Sequence, residues 1–142
     1  MTNRIGNQEL GVAGEFRIMS ELLLRGFNPA KSYVDNGVDL ILEDGQKIQI
    51  KTTNQKILNG GNGTKSLSYR FNLAKGDKKL PIKYSDYVDV IICWGVADNL
   101  FWIIPSVELD YKITLSITSS AKYSLNKYAK FLDNWKILNL KR

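Results

Sequence analysis

Apolar residues recur along this chain in two periods, and the switch between them divides it into elements. At about 100° per residue, Gly11, Val12, Phe16, Ile18, Met19, Leu22 and Leu23 fall within one broad arc, which predicts an amphipathic helix over residues 7–25, ended by Gly26. Glu15 lies inside that arc, a carboxylate on a stripe expected to be buried. It snorkels past the helix edge, pairs with a core lysine, or points across the helix–sheet interface into a polar cleft. Gly11 and Gly14 cost helix propensity but permit close approach to a neighbouring backbone.

The period then shortens to two. Residues 37–42 and 46–53 predict a hairpin, and Ser66, Ser68, Arg70 and Asn72 alternate with Leu67, Tyr69, Phe71 and Leu73 in a third strand, polar on one face. After Pro81 come two apolar segments, Tyr87–Trp94 and Leu100–Ile104, joined through Ala97-Asp98-Asn99 as a second hairpin, with a further strand at Ile113–Thr118. Leu125, Tyr128, Ala129, Leu132 and Trp135 have the spacing of a C-terminal amphipathic helix. A helix, three strands and a mixed remainder make an α/β fold: a mixed β-sheet flanked by helices. No repeat or linker divides residues 1–142, so a single domain is expected.

The first hairpin concentrates the polar chemistry. Glu43-Asp44-Gly45 suits a three-residue loop, a type I turn closed by Gly45 in the left-handed conformation. That loop pairs Leu42 with Gln46 and carries the register back to Asp39 opposite Gln49. Gln49 and Lys51 then project from one side of the strand, Ile48 and Ile50 from the other. A two-residue Asp44-Gly45 turn would shift the pairing and oppose Asp39 to Ile50.

Composition narrows the function. The chain has 142 residues, 44% hydrophobic and 11% aromatic, enough for a real core. A net charge of +6 suits an acidic partner, of which nucleic acid is the commonest. The absence of histidine excludes histidine general bases and zinc fingers, and the single Cys93 offers neither a disulfide nor a thiolate cage. Cys93 reads as a small buried hydrophobe rather than a reactive thiol. No apolar run is long enough to span a bilayer and no signal core opens the chain, so a cytoplasmic protein is expected.

Phosphodiester hydrolysis needs an activated water, a stabilised pentacovalent anion and a neutralised leaving oxygen. Magnesium, or manganese in its place, serves several of these needs and favours carboxylates, carbonyls and retained waters. Asp39 is the natural primary ligand, beside the backbone carbonyl of Ile50 and the amide oxygen of Gln49; Lys51 would meet the scissile phosphate or orient the water. Asp35, in YVDNGVD, competes with Asp39 for the acidic role, although Asp39 begins the strand and Asp35 sits in turn context.

Glu15 on an opening helix, then Asp39, then Gln49-Ile50-Lys51 resembles the PD-(D/E)XK nuclease superfamily, with its restriction-endonuclease-like core. GVAGEF, LLLRGF, VDLIL, IQIKT, YSDYVDVIICW and LFWIIP are similar, over roughly residues 5–109, to group I intron-encoded PD-(D/E)XK homing endonucleases of bacteria, of the kind carried in a cyanobacterial transfer-RNA intron. The resemblance implies that Glu15 and Asp39 bind the metal and that Lys51 assists the nucleophile. It also implies a site-specific, magnesium-dependent, double-strand DNA endonuclease, associated with the bacterial nucleoid. Two departures stand out: Gln49 replaces the usual acid, and Val38 replaces the proline before Asp39.

DNA contacts are expected from loops near 54–66 and 74–84. They supply Lys65 in one and Lys75, Lys78, Lys79 and Lys83 in the other, while Ser68 and Arg70 on the third strand are candidates for base edges. Cutting both strands calls for two sites, hence a homodimer or homotetramer. Tyr111, Tyr123, Tyr128, Phe131 and Trp135 are either that interface or ordinary core. A Holliday-junction resolvase, a restriction enzyme, or a DNA-binding module without catalysis are the alternatives.

Overall fold

The computed structural model describes residues 5–34, 36–54, 56–59, 66–74, 81–118 and 127–138. Helix α1 (Asn7–Leu24) buries Leu10, Gly14, Ile18 and Leu22, a row at i, i+4 spacing. The buried row is narrower than the sequence arc and rotated from it: Val12, Phe16 and Leu23 are exposed, and Glu15 is half-buried at the edge. The cause is Gly14, which brings the helix so close to Thr52 that a Cβ there would fall 1.9 Å from Thr52 Oγ1. Past the helix, Gly26 takes φ 91°, and the Gly26 and Phe27 amides donate to the carbonyls of Leu23 and Leu22. This is the double cap that a left-handed glycine permits.

Five strands form a mixed sheet in the order β1 (Ala30–Lys31), β2 (Leu40–Ile41), β3 (Lys47–Thr53), β6 (Val90–Gly95), β7 (Leu100–Pro105). Among the described residues of this sheet, only the β3–β6 pair is parallel. A second, antiparallel sheet has the order β4 (Lys56–Asn59), β5 (Ser66–Asn72), β8 (Thr114–Thr118). The third strand expected from the sequence is therefore β5, and it leaves the hairpin's sheet altogether. The expected 54–66 loop is in part strand β4.

On the first sheet, one face carries Leu40, Ile48, Ile50, Ile92 and Ile103 against Ile18 and Leu22 of α1. The other carries Ile91, Cys93, Trp102 and Ile104 against Tyr69, Phe71, Leu115 and Ile117 of the second sheet. Burial on both faces explains why β6 and β7 read as unbroken apolar runs. Cys93 is fully buried there, and burial pushes its thiol up to about 12, so it packs as a hydrophobe.

The expected C-terminal helix is replaced by two short 3₁₀ turns, Ala129–Phe131 and Trp135–Leu138. Between them Leu132 bridges to Trp102, and Asp133, at φ 52°, donates its amide to the Phe101 carbonyl at 2.7 Å. Pairing with the β7 edge outcompetes helix continuation. Tyr128, Phe131 and Trp135 are buried core, Tyr111 is exposed, and Tyr123 and Leu125 lie outside the described residues. Among the described residues no helix is long and apolar enough to cross a membrane.

Candidate active site

The β2–β3 turn sets the geometry. Gly45 has φ 90°, the Gly45 amide donates to the Leu42 carbonyl, and the Leu42 amide donates to the Gln46 carbonyl, each at 2.9 Å. This is the three-residue loop, with Leu40 opposite Ile48 and Ile41 opposite Lys47. The alternative two-residue register is excluded.

At Asp39 the chain leaves the regular ladder. Its amide donates to the Ile48 carbonyl at 2.8 Å, its carbonyl accepts from the Ser32 amide at 2.9 Å, and its carboxylate Oδ2 accepts from the Ile50 amide at 2.7 Å. Asp39 is thus tied to the residues on either side of Gln49, to Ile48 through its backbone amide and to Ile50 through its carboxylate. A carboxylate held by a backbone N–H in this way is preorganised rather than free to swing.

Asp39, Gln49, Ile50 and Lys51 line a single cleft of about 350 Å³, with Ser32 and Gly37 on its wall. Gln49 is only 7% exposed, and it lines both this cleft and a neighbouring one. Lys51 is shared with another cleft of about 530 Å³, where Asn54, Arg70 and Asn72 continue the polar surface. The three hollows form one trough whose middle is the Asp39–Lys51 cleft.

Glu15 does not line the trough, yet it lies within electrostatic reach of Asp39. Burial pushes its carboxyl above the usual range, the negative charge of Asp39 pushes it further, and Lys31 draws it partly back. Lys31 gave no signal in the sequence, because β1 is only two residues long. Its Nζ stands 5.1 Å from the Phe16 ring centroid and 6.0 Å from that of Tyr33, a cation held by two aromatic faces.

Among the described residues no three His, Cys, Asp or Glu side chains are grouped to hold a metal. The donors present are the Asp39 carboxylate, the Glu15 carboxylate near it, the Gln49 side chain and backbone carbonyls. This hard-oxygen set fits magnesium or manganese better than zinc.

The proposed DNA contacts separate. Arg70 and Lys83 are exposed, Arg70 on the trough and Lys83 within 3.8 Å of Asp86. Ser68 is 3% exposed, on the middle strand of the second sheet between β4 and β8. Asp35, Lys65, Lys75, Lys78 and Lys79 lie outside the described residues.

No protein-family model matches the chain, and no curated protein does. Among solved structures, the fold is similar to that of a bacterial homing endonuclease, I-Ssp6803I, at a TM-score of 0.70 and 14% sequence identity, over 94% of this chain and 93% of that one. The likeness in fold covers nearly all of both chains.

Proposed function

We propose that this chain is a magnesium-dependent, double-strand DNA endonuclease of the PD-(D/E)XK type, acting at a defined site as in intron homing. The observation that carries the reading is the convergence of Asp39, Gln49 and Lys51 on one cleft, with Glu15 in electrostatic reach of Asp39. The likeness in fold to a bacterial homing endonuclease supports it.

Asp39 and Glu15 would hold the metal, with the Ile50 carbonyl and Gln49 as neutral ligands; manganese is an acceptable replacement. When bound, the ion supplies Lewis-acid activation and neutralises charge on the phosphate. Lys51 places its ammonium beside the scissile phosphate and orients the attacking water. Arg70 and Lys83 hold neighbouring phosphates, with Lys65, Lys75, Lys78 and Lys79 assigned the same task. Cleavage of both strands requires two copies of the site, hence a homodimer or homotetramer.

Gln49 in place of an acid favours one second reading, a DNA-binding module without catalysis. The test is incubation with magnesium, a randomised duplex library and a four-way junction, beside Lys51→Ala. Sequence-specific double-strand cuts that vanish in the variant support this reading. Junction cutting irrespective of sequence indicates a resolvase, and binding without metal-dependent cleavage overturns the enzyme.

A further inference from the structure

The cleft next to the site has a different character. Its volume is about 270 Å³, and it is walled by Leu73, Ile82, Tyr84, Tyr87 and Val88, with Gln49 as its polar boundary toward the Asp39 cleft. The Tyr84 hydroxyl donates to the Lys112 carbonyl at 2.6 Å, so Tyr84 gives the cleft a ring rather than a donor. Tyr87 is 52% exposed, a large ring left uncovered at the mouth. Gln49 is 7% exposed, and its side chain lines both this cleft and the Asp39 cleft, so its amide can meet a ligand in either.

A pocket with aromatic and aliphatic walls and one side-chain amide on its boundary suits a flat heteroaromatic ring with donors and acceptors on its edge. At about 270 Å³ it falls just below the roughly 300–1,000 Å³ of drug-sized sites, the scale of a single base. It touches the phosphodiester cleft through Gln49 and Gly37, so a nucleotide whose phosphate lies at Lys51 can place its own base or its neighbour's there.

From this geometry we infer that the Tyr84–Tyr87 cleft receives one nucleobase, turned out of the helical stack beside the scissile phosphate, with Gln49 reading its edge and Tyr87 stacking on its face. The inference rests on the endonuclease reading. Turning the base out costs a few kcal/mol, least at a mismatch. Gln49 then serves selection of the cut site as well as the metal.

The experiment uses the duplex recovered from the cleavage selection, with 2-aminopurine placed at single positions flanking the cut and calcium in place of magnesium. One position should brighten severalfold on binding, and a mismatch there should tighten binding severalfold. Tyr87→Phe should keep the fluorescence rise and Tyr87→Ala should lose it, with circular dichroism confirming that both fold. If the duplex is cut but no position brightens, or if Tyr87→Ala brightens like the unsubstituted protein, the pocket assignment is overturned and the endonuclease reading stands. If no duplex is cut, both fall.

Discussion

On β3, Ile48 and Ile50 face α1 while Gln49 and Lys51 face the opposite side, and the two sides are covered differently. Under α1 the cover is complete: Gly14 lets the helix settle against Thr52, and Ile48 is wholly buried. On the other side the second sheet seals Cys93 and Ile91 but stops short of Gln49 and Lys51, where the clefts begin. Polar chemistry in this molecule sits where the second layer ends. The first face holds the strand in place, and the second uses it.

Substitutions on the two faces should therefore break different things. Lys51→Ala should lower magnesium-dependent cleavage by about 10²–10³-fold, the usual cost of losing one charge aimed at a developing anion. Its thermal stability should change by about 1 kcal/mol or less. Ile48→Ala should do the reverse, costing about 2–5 kcal/mol by opening a cavity under α1 while the cleavage rate per folded molecule is retained. Single-turnover rates and chemical denaturation of both variants decide the matter. Equal effects on both quantities for either variant would erase the distinction between the faces.

The close approach at Gly14 is the next weakest point. A methyl group there meets Thr52 Oγ1, so the helix must lift, and Gly14→Ala should cost about 1–3 kcal/mol. Because Glu15 follows directly, cleavage should fall with it. Thr52 Oγ1 is itself buried without a hydrogen-bond partner, so Thr52→Ala alone should be nearly neutral and should recover part of the Gly14→Ala loss. A double-mutant cycle with no coupling between the two positions would show that the helix is not held by this contact.

Gln49→Glu probes the open face from the opposite direction. A third carboxylate beside Asp39 should lower the melting temperature in chelator and raise apparent magnesium affinity by about tenfold, since ligand charge count tunes such sites. The checks are calorimetry with magnesium or manganese and melting with and without the ion. Unchanged affinity would remove Gln49 from the metal site and leave it to the neighbouring cleft.

Local chemistry made half of this readable in the sequence. Asp44-Gly45 specified the turn, and the turn specified the register that brings Asp39 beside Gln49 and Lys51; Gly26 stopped the helix where a left-handed residue was needed. What the pattern did not carry was decided at long range. Pairing of β6 with β3 sends β5 to another sheet, and burial of β6 and β7 on both faces removes any alternation that would announce it. β1 and β4 are too short to show a period, and pairing at the β7 edge overrides the helical spacing of residues 128–135. Glu15 is near the site for a reason the helical wheel did not contain: its own glycine neighbour sets the helix's depth and rotation.

How firmly the second layer is clipped to the first depends on Asp98, in the turn between β6 and β7. The Tyr69 hydroxyl of the second sheet donates to its carboxylate at 2.7 Å, and the Lys56 ammonium lies 3.1 Å away. The hydrogen bond from Tyr69, and then Lys56, hold the Asp98 carboxyl below the usual carboxylate range. The folded state therefore binds fewer protons than the unfolded chain in this window. The stabilisation is present above the unfolded value, near pH 4, and disappears as pH falls through the folded one. Asp98→Asn should be slightly less stable at neutral pH and should lose less between about pH 5 and pH 2, so that the two melting curves converge in acid. Asp98 is partly exposed, so the effect should be the smallest of these and should weaken in high salt. Parallel curves would mean that the layers are joined by apolar packing, the Tyr69, Phe71 and Trp102 ring contacts included, and that the edge of the trough is set by that packing rather than by this charge.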